Sequence, residues 1–289
     1  VESKKRYYLG IIFVLLSAIG FSTLQMFVKM LPNVSVGNKL FYRNVVITVI
    51  TYILIRARGI DLKVEKSEWP LLLSRIVFGL SGVIINFYTL SYILLADSTT
   101  IQKLSSFIVL ILSYFFFNEK FTKVQFLALV GSFMGVVLIV KPGSSNFSFG
   151  YILAIIGAFC SAFAYSCIRA LGIRKKVNPM LIVFYFSLFN TIFSAPYVIT
   201  HRPHFDTRTA ILLFGIGLFG AIGQFGITFA YNFAPAKQIS VFEYTQVIFS
   251  SILGVVFLGE IPDKYSVMGY IIIISIGIFM YRYNLKKEN

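Results

Sequence analysis

Two ionisable side chains stand deep inside apolar runs of this sequence, and they are the first candidates for chemistry. Lys103 lies six residues past Asp97, about 9 Å along a helix, with Thr99, Gln102, Ser106 and Ser113 at helical spacing around it. Glu243 lies six residues past Lys237 and begins a similar polar stripe with Gln246, Ser250 and Gly254. A charge in hydrocarbon costs roughly 2.5–3.5 kcal/mol on insertion scales, so it usually has a partner or a function. Both stripes are expected to face a protein interior, where Gln102, Lys103, Ser106, Glu243, Tyr244 and Gln246 line a binding cavity. Opposite charges across that cavity suit a zwitterionic or mixed polar-charged solute, and Glu243 can also take up a proton. The plain alternatives are snorkelling of Lys103 to a membrane face and an interhelical hydrogen bond from Glu243.

Weaker candidates follow the same spacing logic. Gly82, Asn86 and Thr89 share one helical face, as do Gly220, Gln224, Thr228 and Tyr231, and as do Ser17, Phe21 and Gln25. Tyr88, Tyr165 and Tyr244 offer rings that can stack on a cargo, although most aromatics in a chain that is 17% aromatic pack or meet lipid. Glycines at 217, 220, 223 and 226 permit close helix approach. Lys29, Arg43 and Arg169 lie near the ends of apolar runs and are expected to reach headgroups; Arg75 stands open between that and an interior role. Nothing points to catalysis, which needs a nucleophile with its base or a metal cluster at membrane depth. His201 and His204 have no carboxylate cluster beside them, so neither a metal nor a cofactor is expected. Cys160 and Cys167 are seven residues apart, ~10 Å along a helix, too far for a disulfide.

The elements that must position these residues are membrane spans. Apolar residues make up 57% of the 289 and charged residues 13%, with a mean hydropathy of +0.83. A soluble domain carries about 25% charge. A span takes ~20 residues, and ten are expected, at about 8–30, 40–56, 70–94, 98–117, 123–140, 150–171, 179–199, 209–232, 237–258 and 265–282. The net charge of +15 would read as nucleic-acid binding in a soluble protein. Here the positives sit between apolar runs as topology signals, so no nucleic acid is expected. With the N-terminus inside, the cytoplasmic segments hold sixteen Lys and Arg and the opposite segments five: Lys39, Lys141, Arg202, Arg208 and Lys264. That excess predicts both termini inside.

The chain also repeats itself. Residues 10–31 lie without gaps over 150–171, pairing Gly10 with Gly150, Ala18 with Ala158, Gln25 with Tyr165 and Lys29 with Arg169. Residues 79–90 lie over 217–228, and the runs ending at Glu119 and Glu260 also correspond. Three matches in one order predict a duplication, 1–145 and 146–289. Five spans per copy is odd, so the second copy enters from the opposite face, as in secondary transporters. Entering from opposite faces, Lys103 and Glu243 are expected ~12 Å apart along the normal of a ~30 Å core.

The five-span repeat, Tyr42-Arg43, Asn118-Glu119-Lys120 and Gly259-Glu260-Ile261-Pro262 resemble the drug/metabolite transporter superfamily, in particular its EamA-type ten-helix members. The likeness covers nearly the whole chain. It implies a central cavity lined largely by spans one, three, four, six, eight and nine, with cargo among amino acids, nucleotides, vitamins, sugars and other metabolites. The expectation is thus an all-α polytopic membrane protein of two inverted five-helix repeats. It would be a secondary active transporter of a small polar or zwitterionic metabolite, proton-coupled or exchanging, a monomer or weak dimer in a bacterial inner membrane. A lipid-carrier flippase of the same superfamily is the alternative.

Overall fold

The computed structural model describes residues 2–117, 122–141, 147–174, 176–201, 206–233 and 240–288, and among them it is helical with no strand. In chain order the helices are α1 Glu2–Lys29, α2 Val36–Ala57, α3 Trp69–Thr89, α4 Leu95–Gln102, α5 Leu104–Phe117, α6 Lys123–Val140, α7 Phe149–Arg174, α8 Pro179–Thr200, α9 Thr207–Phe233, α10 Thr245–Leu258 and α11 Lys264–Glu288. Short 3-10 turns at Lys66–Glu68 and Ser240–Tyr244 precede α3 and α10. Seven of these helices are long and apolar enough to cross a membrane, and α6 and α10 contribute shorter apolar stretches.

Local sequence sets the ends. The Ser35 side chain accepts from the Asn38 N–H to start α2, and Asn178 accepts from the Met180 N–H ahead of Pro179 to start α8. Each satisfies a donor that has no partner in the helix itself. At the far end of α10, Gly259 takes φ +65°, a left-handed cap that glycine adopts without a Cβ clash.

Large apolar side chains are exposed in bands at helical spacing: Ile211, Phe214, Leu218 and Ile222 on α9, and Ile152, Ile156 and Phe159 on α7. Water would not tolerate such bands, and hydrocarbon does. The chain is a polytopic helical membrane protein, its backbone polar groups satisfied along each helix as a bilayer demands.

The helices pair across the molecule: α1 with α9, α3 with α7, α2 with α8, α6 with α11, and α4 with α10. The glycine stripe of α9 makes the first pairing tight. A Cβ on Gly20 would lie 2.6 Å from the Gly223 nitrogen, and one on Gly226 would lie 2.8 Å from the Phe13 carbonyl oxygen. Ser17 Oγ donates to the Gly223 carbonyl at 2.7 Å across the same crossing. Gly20→Val is therefore expected to overpack backbone against backbone and cost about 1–3 kcal/mol or more. A lower melting midpoint and folded yield in detergent checks this.

Two expectations need correction. The fourth span is two helices, α4 and α5, broken at Lys103. Thr99 and Thr100 hydroxyls bond back to the Leu95 and Ala96 carbonyls, and Ser105 Oγ takes the Gln102 carbonyl. Such back-bonding competes with the helical ladder and bends it. Nor do residues 95–97, left between the expected spans 70–94 and 98–117, form the connection: turns at Leu90–Ile93 make it, and Asp97 lies buried in α4.

Candidate functional site

A polar seam runs through the middle of the bundle where α1, α3, α4, α7 and α10 meet. Gln25 Nε2 on α1 donates to Asn86 Oδ1 on α3 at 3.4 Å, and Asn86 Nδ2 reaches Ser98 Oγ on α4 at 3.4 Å. Thr99 Oγ1 lies 2.9 Å from Gln25 Oε1 and 3.0 Å from Ser250 Oγ on α10. Its single proton serves one acceptor at a time, so the hydroxyls act as a relay of donors and acceptors. Ser22 completes the link, 3.0 Å from Ser250 Oγ.

Lys103 stands at the break of the fourth span and donates from Nζ to Gln246 Oε1 at 2.8 Å. Glu243, in the 3-10 turn just before α10, acts electrostatically on Lys103 and on Tyr165. Gln102 Oε1 accepts from Ser161 Oγ at 3.4 Å, while its buried Nε2 has no hydrogen-bond partner among the described residues.

Tyr165 is 52% exposed. Nine residues beyond Ile156, it sits about 180° round α7 from the lipid-facing band, so its exposure opens into the bundle interior. Tyr88 is 48% exposed for the opposite reason. Two residues past Asn86, it points ~200° away from the seam, on the same arc as the exposed Val77. The structure thus brings together Gln25, Asn86, Gln102, Lys103, Tyr165, Glu243 and Gln246, and leaves Tyr88 outside. Tyr244 is buried with its ring against Gly277 of α11, packed in the core rather than presented to the seam. Gln224 is half-buried on α9, one turn beyond Gly220, which faces Arg43. The Ser106, Ser113, Arg169 and Tyr231 side chains lie outside the described residues, as do Lys237 and His204.

Lys29 and Arg43 do not reach headgroups. Lys29 forms an ion pair with Glu260 and donates to the Ile93 carbonyl at 2.5 Å. Glu260 Oε2 also accepts from the Leu95 N–H at 2.7 Å. One carboxylate therefore ties the end of α1, the start of α4 and the end of α10. On this same side, the buried Asp97 accepts from Tyr151 at 2.9 Å and Tyr270 at 2.5 Å, joining α4, α7 and α11. Sequence reasoning missed both clusters; the aligned positions of Lys29 with Arg169 and Glu119 with Glu260 were the available signal for the first.

Lys141 and Asp263 pair at the rim. The Lys141 ammonium and two backbone donors hold the Asp263 carboxyl below the ordinary carboxylate range. A depressed pKa contributes stability above the unfolded value near 3.9 and loses it as pH falls through the folded value. Asp263 is half exposed, so the contribution is about 0–1 kcal/mol. Asp263→Asn is expected to lower the melting midpoint slightly at pH 7, with the difference from the parent shrinking as pH falls below the ordinary carboxylate range.

Comparison with known proteins decides the family. The EamA-like transporter family matches residues 8–141 and again residues 148–283. The chain belongs to the EamA-like transporter family. Among this EamA-like chain's relatives is the pseudopaline exporter CntI of Pseudomonas aeruginosa (strain UCBPP-PA14), 29% identical over 94% of this chain and 96% of that protein. Human solute carrier family 35 member G1 is 27% identical over 93% of this chain and 78% of that protein. The S-adenosylmethionine uptake transporter of Rickettsia prowazekii (strain Madrid E) is 24% identical over 70% and 67%. A crystal structure at 16% identity superposes with a TM-score of 0.62, covering 95% of this chain and 99% of that one, and shows the fold alone. The EamA-like chain is accordingly a membrane transporter.

Proposed function

We propose that this chain is a secondary active transporter that carries a small polar or zwitterionic metabolite by alternating access. Two inverted five-helix repeats, 1–145 and 146–289, with both termini inside, move about the central seam. The ten crossings are α1, α2, α3, α4 with α5, α6, α7, α8, α9, the 240–244 turn with α10, and α11. The helix pairings support a two-fold relation between the copies. Exchanging first-copy spans with their second-copy counterparts turns α1 against α9 into α7 against α3, and leaves α2 against α8 and α6 against α11 unchanged.

The observation that carries the reading is a break in one span aligned with a 3-10 junction in its counterpart. Lys103 interrupts the fourth span and Tyr244 precedes α10 at its aligned position, with Lys103 bonded to Gln246 across the gap. Broken helices at a repeat interface place unpaired polar groups at the midplane, where transporters bind substrate. Gln25, Asn86, Gln102, Lys103, Tyr165, Glu243 and Gln246 are the proposed cargo contacts. The named relatives include an exporter and an uptake transporter, so direction is a property of each member. The Pseudomonas relative favours a bacterial inner membrane.

Glu243 is the proposed proton carrier. In proteoliposomes, Glu243→Gln is expected to lose accumulation driven by a pH gradient while retaining exchange of labelled for unlabelled cargo. Accumulation that still follows the pH gradient in the variant would remove Glu243 from coupling.

A further inference from the structure

Two arginines that the seam does not use are buried next to it. Arg43 on α2 is 5% exposed and Arg75 on α3 is 6% exposed. They lie within Coulombic reach of each other and of Tyr165. Neither makes a salt bridge among the described residues. The side-chain hydrogen bond of Arg43 goes to Asn44 Oδ1 at a long 3.4 Å. The Arg75 guanidinium lies over the Phe186 ring, 4.1 Å from its centroid, and its Nε has no partner.

Space is kept for both groups. Gly79 leaves the room that the Arg75 guanidinium fills, and Gly220 faces Arg43 with a Cβ position 3.2 Å from its Cγ. Gly79 is about 15 Å along α3 from its start, so the Arg75 charge sits near mid-depth. Buried charges are ordinarily paired, and two like charges together in a membrane interior are doubly costly. Two other buried carboxylates are committed elsewhere, Asp97 to two tyrosines and Glu260 to Lys29. Three cations, Lys103, Arg43 and Arg75, thus stand about the seam with Glu243.

We infer that Arg43 and Arg75, with the inward-facing Tyr165, form a carboxylate-binding subsite, so that the cargo carries a carboxylate at this end. The inference rests on the cargo site proposed above. A guanidinium held over the Phe186 ring keeps N–H donors for a planar carboxylate, which it can meet as a two-bond fork. The ammonium of an amino-acid-like cargo then falls to Glu243.

The test uses purified full-length chain in nanodiscs and thermal stabilisation by the amino acids and by C4 dicarboxylates, each beside its primary amide, with phosphate monoesters as a further arm. At least one acid is expected to stabilise the protein while its amide does not. Arg43→Met and Arg75→Met are each expected to weaken that acid about 30-fold or more. Without ligand, each variant is expected to melt at or above the parent midpoint, because replacing an unpaired buried charge by an apolar chain of similar size relieves a cost. Undiminished acid binding in the Met variants, equal binding of the amide, stabilisation by phosphate monoesters alone, or no acid-specific stabilisation in the panel would each overturn the subsite. If Lys103→Gln loses the acid and both arginine variants keep it, the cavity stands and this subsite falls.

Discussion

Uptake by Lys103→Met is expected to fall at least about 100-fold, a loss near 2.7 kcal/mol, in a chain that still folds but melts at a lower midpoint. Methionine keeps the length and helix preference of lysine and removes only the charge and its donors. In the parent, Nζ donates to Gln246 Oε1 at 2.8 Å and offsets the field of Glu243. The variant leaves the Gln246 acceptor, the Glu243 carboxylate and the incoming polar cargo without that cation. Each uncompensated buried polar group costs about 1–3 kcal/mol. Lys103→Arg restores charge but presents a planar fork in place of a compact ammonium, so partial recovery is expected. Initial rates of labelled-cargo uptake at matched protein density check both, and parental rates in Lys103→Met would remove Lys103 from the site.

Glu260→Gln should produce the second large effect, and on conformation rather than on binding. The parent carboxylate holds Lys29 and the Leu95 N–H together, with ammonium and carboxylate only 19% and 11% exposed. Removing one partner of a buried pair leaves the other uncompensated, at about 3–5 kcal/mol. The strain is relieved if α1 and α4 separate from α10 and let water reach Lys29. The state open on the Glu260 side should therefore gain population by well over 10-fold. A single cysteine at position 165, in a Cys160→Ser, Cys167→Ser background, reports this as faster labelling by an impermeant thiol reagent from the Glu260 side. Unchanged labelling would mean that this cluster is not what closes that face.

Several elements were legible because local chemistry marks them. Residues 123–140 and the start of α8 at Pro179 follow from apolar length bounded by Lys141 and by Asn178-Pro179. The break at Lys103 was harder to read, since it depends on Thr99, Thr100 and Ser105 turning their hydroxyls onto the backbone. Serine and threonine do that in only some helices. Tyr88 and Tyr165 carry the sharper lesson. Both are tyrosines near polar helical faces, yet one faces outward and the other inward. Periodicity tells which residues share a face; it does not tell whether that face meets lipid or a cavity. For Tyr88 the ~200° offset from Asn86 was available in the sequence. For Arg43 and Arg75 no local signal separates snorkelling from burial, because the deciding neighbours, Gly220 and Phe186, come from distant helices. The Lys29–Glu260 pair joins residues that only the fold brings together.

Alternating access about the seam is the central claim, and sealed proteoliposomes with the single cysteine at position 165 test it most directly. An impermeant thiol reagent applied to either face should label that cysteine, with Glu260→Gln raising the rate from the Glu260 face and lowering it from the other. A cysteine labelled from one face alone, in the parent and in Glu260→Gln alike, would contradict the account.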